Sequence, residues 1–113
     1  MKRKLIWIKV PITAAVGLAL VCLWALPAHG QSGSETLYKT KCAACHGPDG
    51  KGETTMGKVN KLRDFSSPDV QKQSDQELSG IVTAGKGKMP AYGKSLKPEQ
   101  IKDLVAYIRS FKK

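Results

Sequence analysis

Cys42 and Cys45 stand three residues apart, and His46 follows the second thiol directly. On a helix, residues i and i+3 share a face. Thiols so placed can each form a thioether to one of two neighbouring vinyl groups of a porphyrin. The next imidazole can then swing beneath the tethered ring and bind its iron. Gly47 lets the backbone turn away sharply at little steric cost. The pattern Cys-x-x-Cys-His thus reads as the attachment site of one covalent c-type haem. Rival chemistries lack their remaining parts. A structural zinc site wants a fourth ligand, usually from a second pair, and residues 31–113 hold no third cysteine and no second histidine. A thioredoxin-like redox pair wants a strand before it and a βαβ setting, and no alternating pattern supplies one. A simple disulfide or a chance match is the remaining reading of so short a motif.

A second chemical signal lies in Gly85-Lys86-Gly87-Lys88-Met89-Pro90. A thioether sulfur is a soft ligand that suits haem iron opposite a histidine. Gly85 and Gly87 allow the backbone close to a ring edge, and Pro90 stiffens the segment. A lone methionine is usually core filler, but beyond residue 30 only Met56 and Met89 are candidates. Met56 is ten residues past His46, in a polar loop. Met89 comes after a helical segment long enough to carry the chain around a ring, and it is the favoured ligand.

The N-terminus indicates a compartment. Met1-Lys2-Arg3-Lys4, with Lys9, makes a positive head, Val10 to Leu26 is uncharged and mostly apolar, and Ala28-His29-Gly30 supplies small residues for a peptidase. That is the layout of a secretory signal over residues 1–30. The apolar run of 17 residues sits at the lower limit for a membrane span, so an uncleaved anchor is the alternative. Cys22 follows bulky Val21, which speaks against lipoprotein processing. His29, Trp7 and Trp24 belong to this leader and receive no role.

Residues 31–113 then form one small domain. A chain of that size builds only a marginal apolar core and usually needs a staple. With both cysteines committed to one motif, a buried haem is the expected staple, and the haem-free chain is expected to be unfolded or molten. The leader carries four of the 19 Lys/Arg residues and none of the nine acids, leaving the domain at +6 before haem. Nothing resembles a nucleic-acid motif or an aromatic stacking platform. The basic excess fits either a docking face for an acidic protein patch or a generally cationic, soluble surface.

Three helical regions should position these groups. The first spans Ser34 to His46, with Ser32 and Glu35 as a capping box. The second runs from Ser66 to Ala84 in two pieces. One starts at Pro68. The other starts with the box Ser74 to Glu77 and carries Leu78, Ile81 and Val82 at helical spacing, ending at Gly85. The third starts at Pro98, with Lys97 as a poor cap. It places Ile101, Leu104, Val105 and Ile108 on one face with Tyr107 and Phe111 beside it.

Leu37 to Gly47, Asp49-Gly50-Lys51-Gly52, Gly85 to Tyr92 and Leu96 to Phe111 together resemble the class I c-type cytochromes, the small bacterial mono-haem kind similar to cytochromes c6, c551 and c553. The resemblance covers nearly all of residues 31–113. It implies an all-α fold of three to five helices wrapped around one covalent haem, with N- and C-terminal helices crossing. Tyr38 would meet Tyr107, with Leu104 and Ile108 alongside. It implies thioethers at Cys42 and Cys45 and iron ligands His46 and Met89. One departure stands out. Many members have a proline after the haem motif whose carbonyl orients the histidine. Here the stretch reads Met56-Gly57-Lys58-Val59-Asn60, so the acceptor for the imidazole N–H is undefined. The chain also has no tryptophan beyond the leader, which leaves Asn60, Lys61 and Arg63 as candidate partners for the haem propionates.

With both axial positions filled, the iron cycles between Fe(II) and Fe(III) and has no open site for substrate. The expectation is a monomeric, periplasmic electron carrier and not an enzyme. It would serve redox partner proteins bearing acidic patches, docked through Lys86, Lys88, Lys94 and Lys97. Two alternatives are a haem enzyme or gas sensor with a labile Met89, and a haem domain held permanently on a membrane oxidase or dehydrogenase. Contact with a membrane is expected only if the leader stays attached.

Overall fold

A computed structural model describes residues 29–113; residues 1–28 of the expected leader over 1–30 lie outside the described residues. Six helices follow in order: α1 (His29–Lys41), α2 (Ala43–His46), α3 (Thr55–Val59), α4 (Pro68–Gln71), α5 (Asp75–Ala84) and α6 (Pro98–Ser110). Only α1, α5 and α6 exceed five residues. The described residues contain no β-strand, and the one isolated bridge joins Lys86 to Met89.

The first helical region departs from expectation at both ends. The helix already includes His29, so Ser32 lies inside it and not at its cap. Glu35 instead pairs with Lys39 at 2.6 Å on the exposed face, an i, i+4 contact of small worth. At its other end the region bends at Cys42, whose φ of −119° and ψ of −36° separate α1 from α2. The ladder still crosses the bend, because Cys42 N–H donates to Tyr38 O and His46 N–H to Cys42 O. Counting the two arms separately, with α3, raises the helix number above the expected three to five.

The remaining boundaries agree with the sequence reading. Ser74 Oγ accepts from Glu77 N–H, and the Glu77 carboxylate accepts from Ser74 N–H in return. Gly85 closes α5 at φ +75°. At the head of α6, Gln100 Oε1 accepts the Lys97 N–H, which offsets the poor cap.

Tyr38, only 1% exposed, is the hub where α1 meets α6. Its ring lies 5.0 Å from Tyr107 and 5.5 Å from Phe111, centroid to centroid. Tyr38 shares a core cluster with Val82, Leu96, Ile101 and Leu104. Ile108, expected beside it, packs instead with Val70, Leu78 and Val105. One turn beyond Leu104, Ile108 has rotated toward α4 and α5. Each such buried aliphatic side chain contributes about 2 kcal/mol. Arg109 ties this second cluster down. Its guanidinium donates to Asp75 at 2.9 Å, to Gln71 O at 3.0 Å and to Gln73 O. Gln71 itself donates to Phe65 O and Ile108 O. The 71–75 turn is thereby fixed to the end of α6.

Candidate functional site

Cys42, Cys45 and His46 occupy the α1–α2 bend, and the carbonyls of Cys45, His46 and Gly47 all accept hydrogen bonds. Thr54 Oγ1 donates to Cys45 O at 2.6 Å and also accepts from Gly57 N–H, which starts α3. Gly52 N–H donates to His46 O at 2.8 Å. The buried Tyr38 hydroxyl donates to Gly47 O at 2.7 Å. Gly57 has to be glycine here, because a Cβ would run into the backbone carbonyls of Gly52 and Cys45. The Cys-x-x-Cys-His turn is thus clamped from three sides by short local loops and one helix.

Met89 sits in the segment between α5 and α6. It exchanges backbone hydrogen bonds with Lys86 at 3.0 and 3.2 Å. Gly85 makes this turn possible, since a Cβ there would meet Met89 O at 2.6 Å. Beyond the turn, Tyr92 N–H and Gly93 N–H donate to Val82 O and Thr83 O at the end of α5.

These two segments face a shared cleft made of two adjoining cavities. The smaller is lined by both cysteines, His46, Asn60, Leu62, Met89 and Tyr92 among others. The second and larger adds Phe65, Val70, Leu78, Ile81, Val82 and Ile108 to His46, Leu62 and Met89. The fold therefore brings together all four residues singled out for haem. Of the propionate candidates, Asn60 lines the first cavity, and Lys61 and Arg63 line the second. Lys61 adopts a left-handed φ of +53°. Met56, the rival sulfur, is 52% exposed and lines neither cavity. Among the docking lysines, Lys86 and Lys88 border the cleft; Lys94 and Lys97 are exposed but do not line it.

The ionisable groups are tuned by desolvation. Burial holds the His46 imidazole below its usual pKa, so it is a neutral nitrogen donor near pH 7. Burial, then the neighbouring Cys45, pushes the Cys42 thiol up to about 11. Both thiols are free of disulfide. Basic residues line the rim, with Lys41 and Lys88 on one cavity and Lys61, Arg63 and Lys86 on the other, and no Asp or Glu lines either.

A covalent haem fits these residues. The cleft is walled by aliphatic and aromatic groups, holds two thiols at thioether spacing, and offers one imidazole and one thioether as donors. His46 Nδ1 is buried and has no hydrogen-bond partner. None of the described carbonyls takes the role of the missing proline's. The ring is instead held by Phe65, stacked at 4.5 Å with 23° between planes. No group of three or more His, Cys, Asp or Glu side chains suited to a bare metal ion occurs among the described residues. Sequence reasoning missed Phe65, Thr54 and the Tyr92 hydroxyl. Phe65 did leave a signal, as the sole Phe, Trp or Tyr between residues 39 and 91.

Comparison with known proteins agrees with this chemistry. Residues 30–108 match the family model described as cytochrome C oxidase, cbb3-type, subunit III. The chain is 35% identical over 105 residues to cytochrome c6 of Gloeothece citriformis (strain PCC 7424), covering 86% of this chain and 90% of the relative. It is 36% identical over 111 residues to the Cbb3-type cytochrome c oxidase subunit CcoP of Rubrivivax gelatinosus, covering 88% of this chain but 36% of that subunit. Among solved structures, the KustC0563 c-type cytochrome superposes with a TM-score of 0.66 at 34% identity, covering 71% of this chain and 98% of the other.

Proposed function

We propose a role for this chain from one premise: it belongs to the class I c-type cytochromes and carries a covalently bound haem c. The role is one-electron transfer between redox partner proteins. In this reading Cys42 and Cys45 carry the thioethers, and His46 and Met89 hold the two axial positions. When bound, the haem supplies an Fe(II)/Fe(III) couple. The chain's own part is to hold both donors still and keep water out. The clamped turn does so for His46, and the Lys86–Met89 turn does so for the sulfur. A thioether ligand raises the potential relative to a second histidine, and the apolar walls limit rearrangement between the two charge states.

The observation that carries this reading is the convergence of Met89 and His46, from segments 43 residues apart, on one cleft with both thiols. Its test is the visible spectrum of the oxidised holoprotein. A weak far-red sulfur-to-iron band is expected, lost in Met89→Ala. The reduced variant, but not the wild type, should bind carbon monoxide. Ready carbon monoxide binding by the wild type would instead favour the enzyme or sensor reading.

The basic rim supports docking of an acidic partner. Reduction by an anionic small-molecule reductant should slow steeply as salt rises, and reduction by a neutral one should not. A flat profile with the anionic reductant would remove the docking idea.

The two kinds of relative point to different settings. Near full-length similarity to cytochrome c6 supports a free, exported carrier released by cleavage after Gly30. That bond lies inside α1. Similarity to part of CcoP supports a haem domain held on a membrane oxidase through the leader. No helix among the described residues is long and apolar enough to cross a membrane. Intact mass of protein from the native host separates the cases: a chain starting at Gln31 means a carrier, and one starting at Met1 means an anchored domain.

A further inference from the structure

The Met89 segment touches the opposite wall of the cleft through one polar contact that the haem-binding residues do not need. Tyr92 Oη donates to Lys41 O at 3.0 Å, across 51 residues of sequence. Lys41 is the last residue of α1 and directly precedes Cys42. Both Lys41 and Tyr92 line the smaller cavity, along with Met89, Lys88 and Pro90. The segment's other anchors all lie on its own side. Tyr92 N–H and Gly93 N–H hold it to the end of α5, and the Lys86–Met89 pair closes it on itself. Gly85 and Gly87, both at positive φ, give it two points where the backbone turns with little resistance. A Cβ on Gly87 would meet nothing, so no packing restrains that tip.

We propose that Tyr92 is a positioning residue for Met89: its hydroxyl latches the methionine segment to the carbonyl beside the first thioether cysteine and sets how readily the sulfur leaves the iron. The contact is suited to this. A helix-terminal carbonyl has no intrahelical donor of its own, so the phenol satisfies it and spans the mouth of the cleft in one bond. Because the acceptor is backbone next to Cys42, the latch references the sulfur to the haem tether itself and not to the mobile end of a side chain. The phenol ring stays partly buried against the core cluster, so removal of the hydroxyl alone leaves the packing in place.

This inference rests on the assignment of Met89 as a ligand, and the experiment separates the two. Oxidised holoprotein is mixed with increasing imidazole, and the limiting rate of spectral change reports how fast the sulfur position opens. Tyr92→Phe should raise that rate roughly threefold to tenfold, the kinetic equivalent of one neutral hydrogen bond. It should keep the far-red band and the helical circular dichroism of the wild type. Tyr107→Phe, at the α1–α6 contact away from the cleft, should leave the rate unchanged. A Tyr92→Phe rate equal to wild type overturns the latch while the Met89 assignment stands. An equal rise in Tyr107→Phe overturns it too, since the effect would then be general loosening. A wild type without the far-red band overturns both.

Discussion

The two walls of the candidate haem cleft are built by different physics. On the histidine side, three consecutive carbonyls, from Cys45 to Gly47, accept hydrogen bonds from Thr54, Gly52 and Tyr38. Gly57 presses so closely that no Cβ would fit. On the methionine side, a short turn hangs from the end of α5, tipped by an unpacked glycine and reaching across through one phenol. The first wall is over-determined and the second is sparsely held. Local opening free energy follows such differences in contact and hydrogen-bond density. With His46 and Met89 as the proposed ligands, the comparison teaches that His46 should remain in place under conditions that already release Met89.

The most damaging change to this picture is loss of the tether. In Cys42→Ala/Cys45→Ala, the cleft between the two walls would stand empty of its largest apolar occupant, and a core this small is marginal without it. Loss of a cooperative thermal transition, followed by circular dichroism, is the expected result; a sharp transition would show that the walls support each other without haem. Next in size is Gly57→Ala. The new methyl group meets rigid backbone, and a cost of about 3 kcal/mol is expected from overpacking, read as a lower denaturant midpoint at unchanged slope. An unchanged midpoint would mean that the histidine wall yields easily and the contrast is false.

Tyr38→Phe tests the same wall more gently. It removes a buried donor from Gly47 O, with a loss of about 1.5 kcal/mol in chemical denaturation. Gly87→Ala addresses the other wall. Strain at φ +58° should cost about 1 kcal/mol, and imidazole binding should speed up more than global stability falls. Equal effects on both readouts would erase the distinction between the walls. The smallest effect belongs to a site remote from both. Hydrogen bonds from Ser74 hold the Glu77 carboxyl below its usual value near 4.5. A depressed folded pKa contributes stability that is present above the unfolded value and lost as pH falls through the folded one. Glu77→Gln should flatten the stability profile below about pH 4.5 and leave imidazole kinetics alone. A change in those kinetics would couple α5 to the methionine wall more tightly than its hydrogen bonds indicate.

Much of this molecule was legible in local pattern. The capping box at Ser74, the stop at Gly85, the start at Pro98 and the apolar face of α6 all depend on residues within four positions of one another. Short-range rules reach that far. The Cys-x-x-Cys-His turn is local in the same sense. Where local rules failed, a rival local interaction won. Ser32 does not cap α1 because it already lies within the helix, and Cys42 bent a helix that periodicity alone would run straight through.

The sequence by itself thus determined the thiol and imidazole set, the favoured sulfur and most helix limits, since each rests on side-chain chemistry and neighbour spacing. Only the tertiary structure decided that Phe65 stacks on His46 where a carbonyl was expected, that Ile108 joins Val70 and Leu78, that Arg109 grips the 71–75 turn, and that Tyr92 reaches Lys41. Those pairs lie 19 to 51 residues apart. Their meeting depends on the path of the loops between them, and that path is set by the collective packing of the whole chain, which no single segment contains.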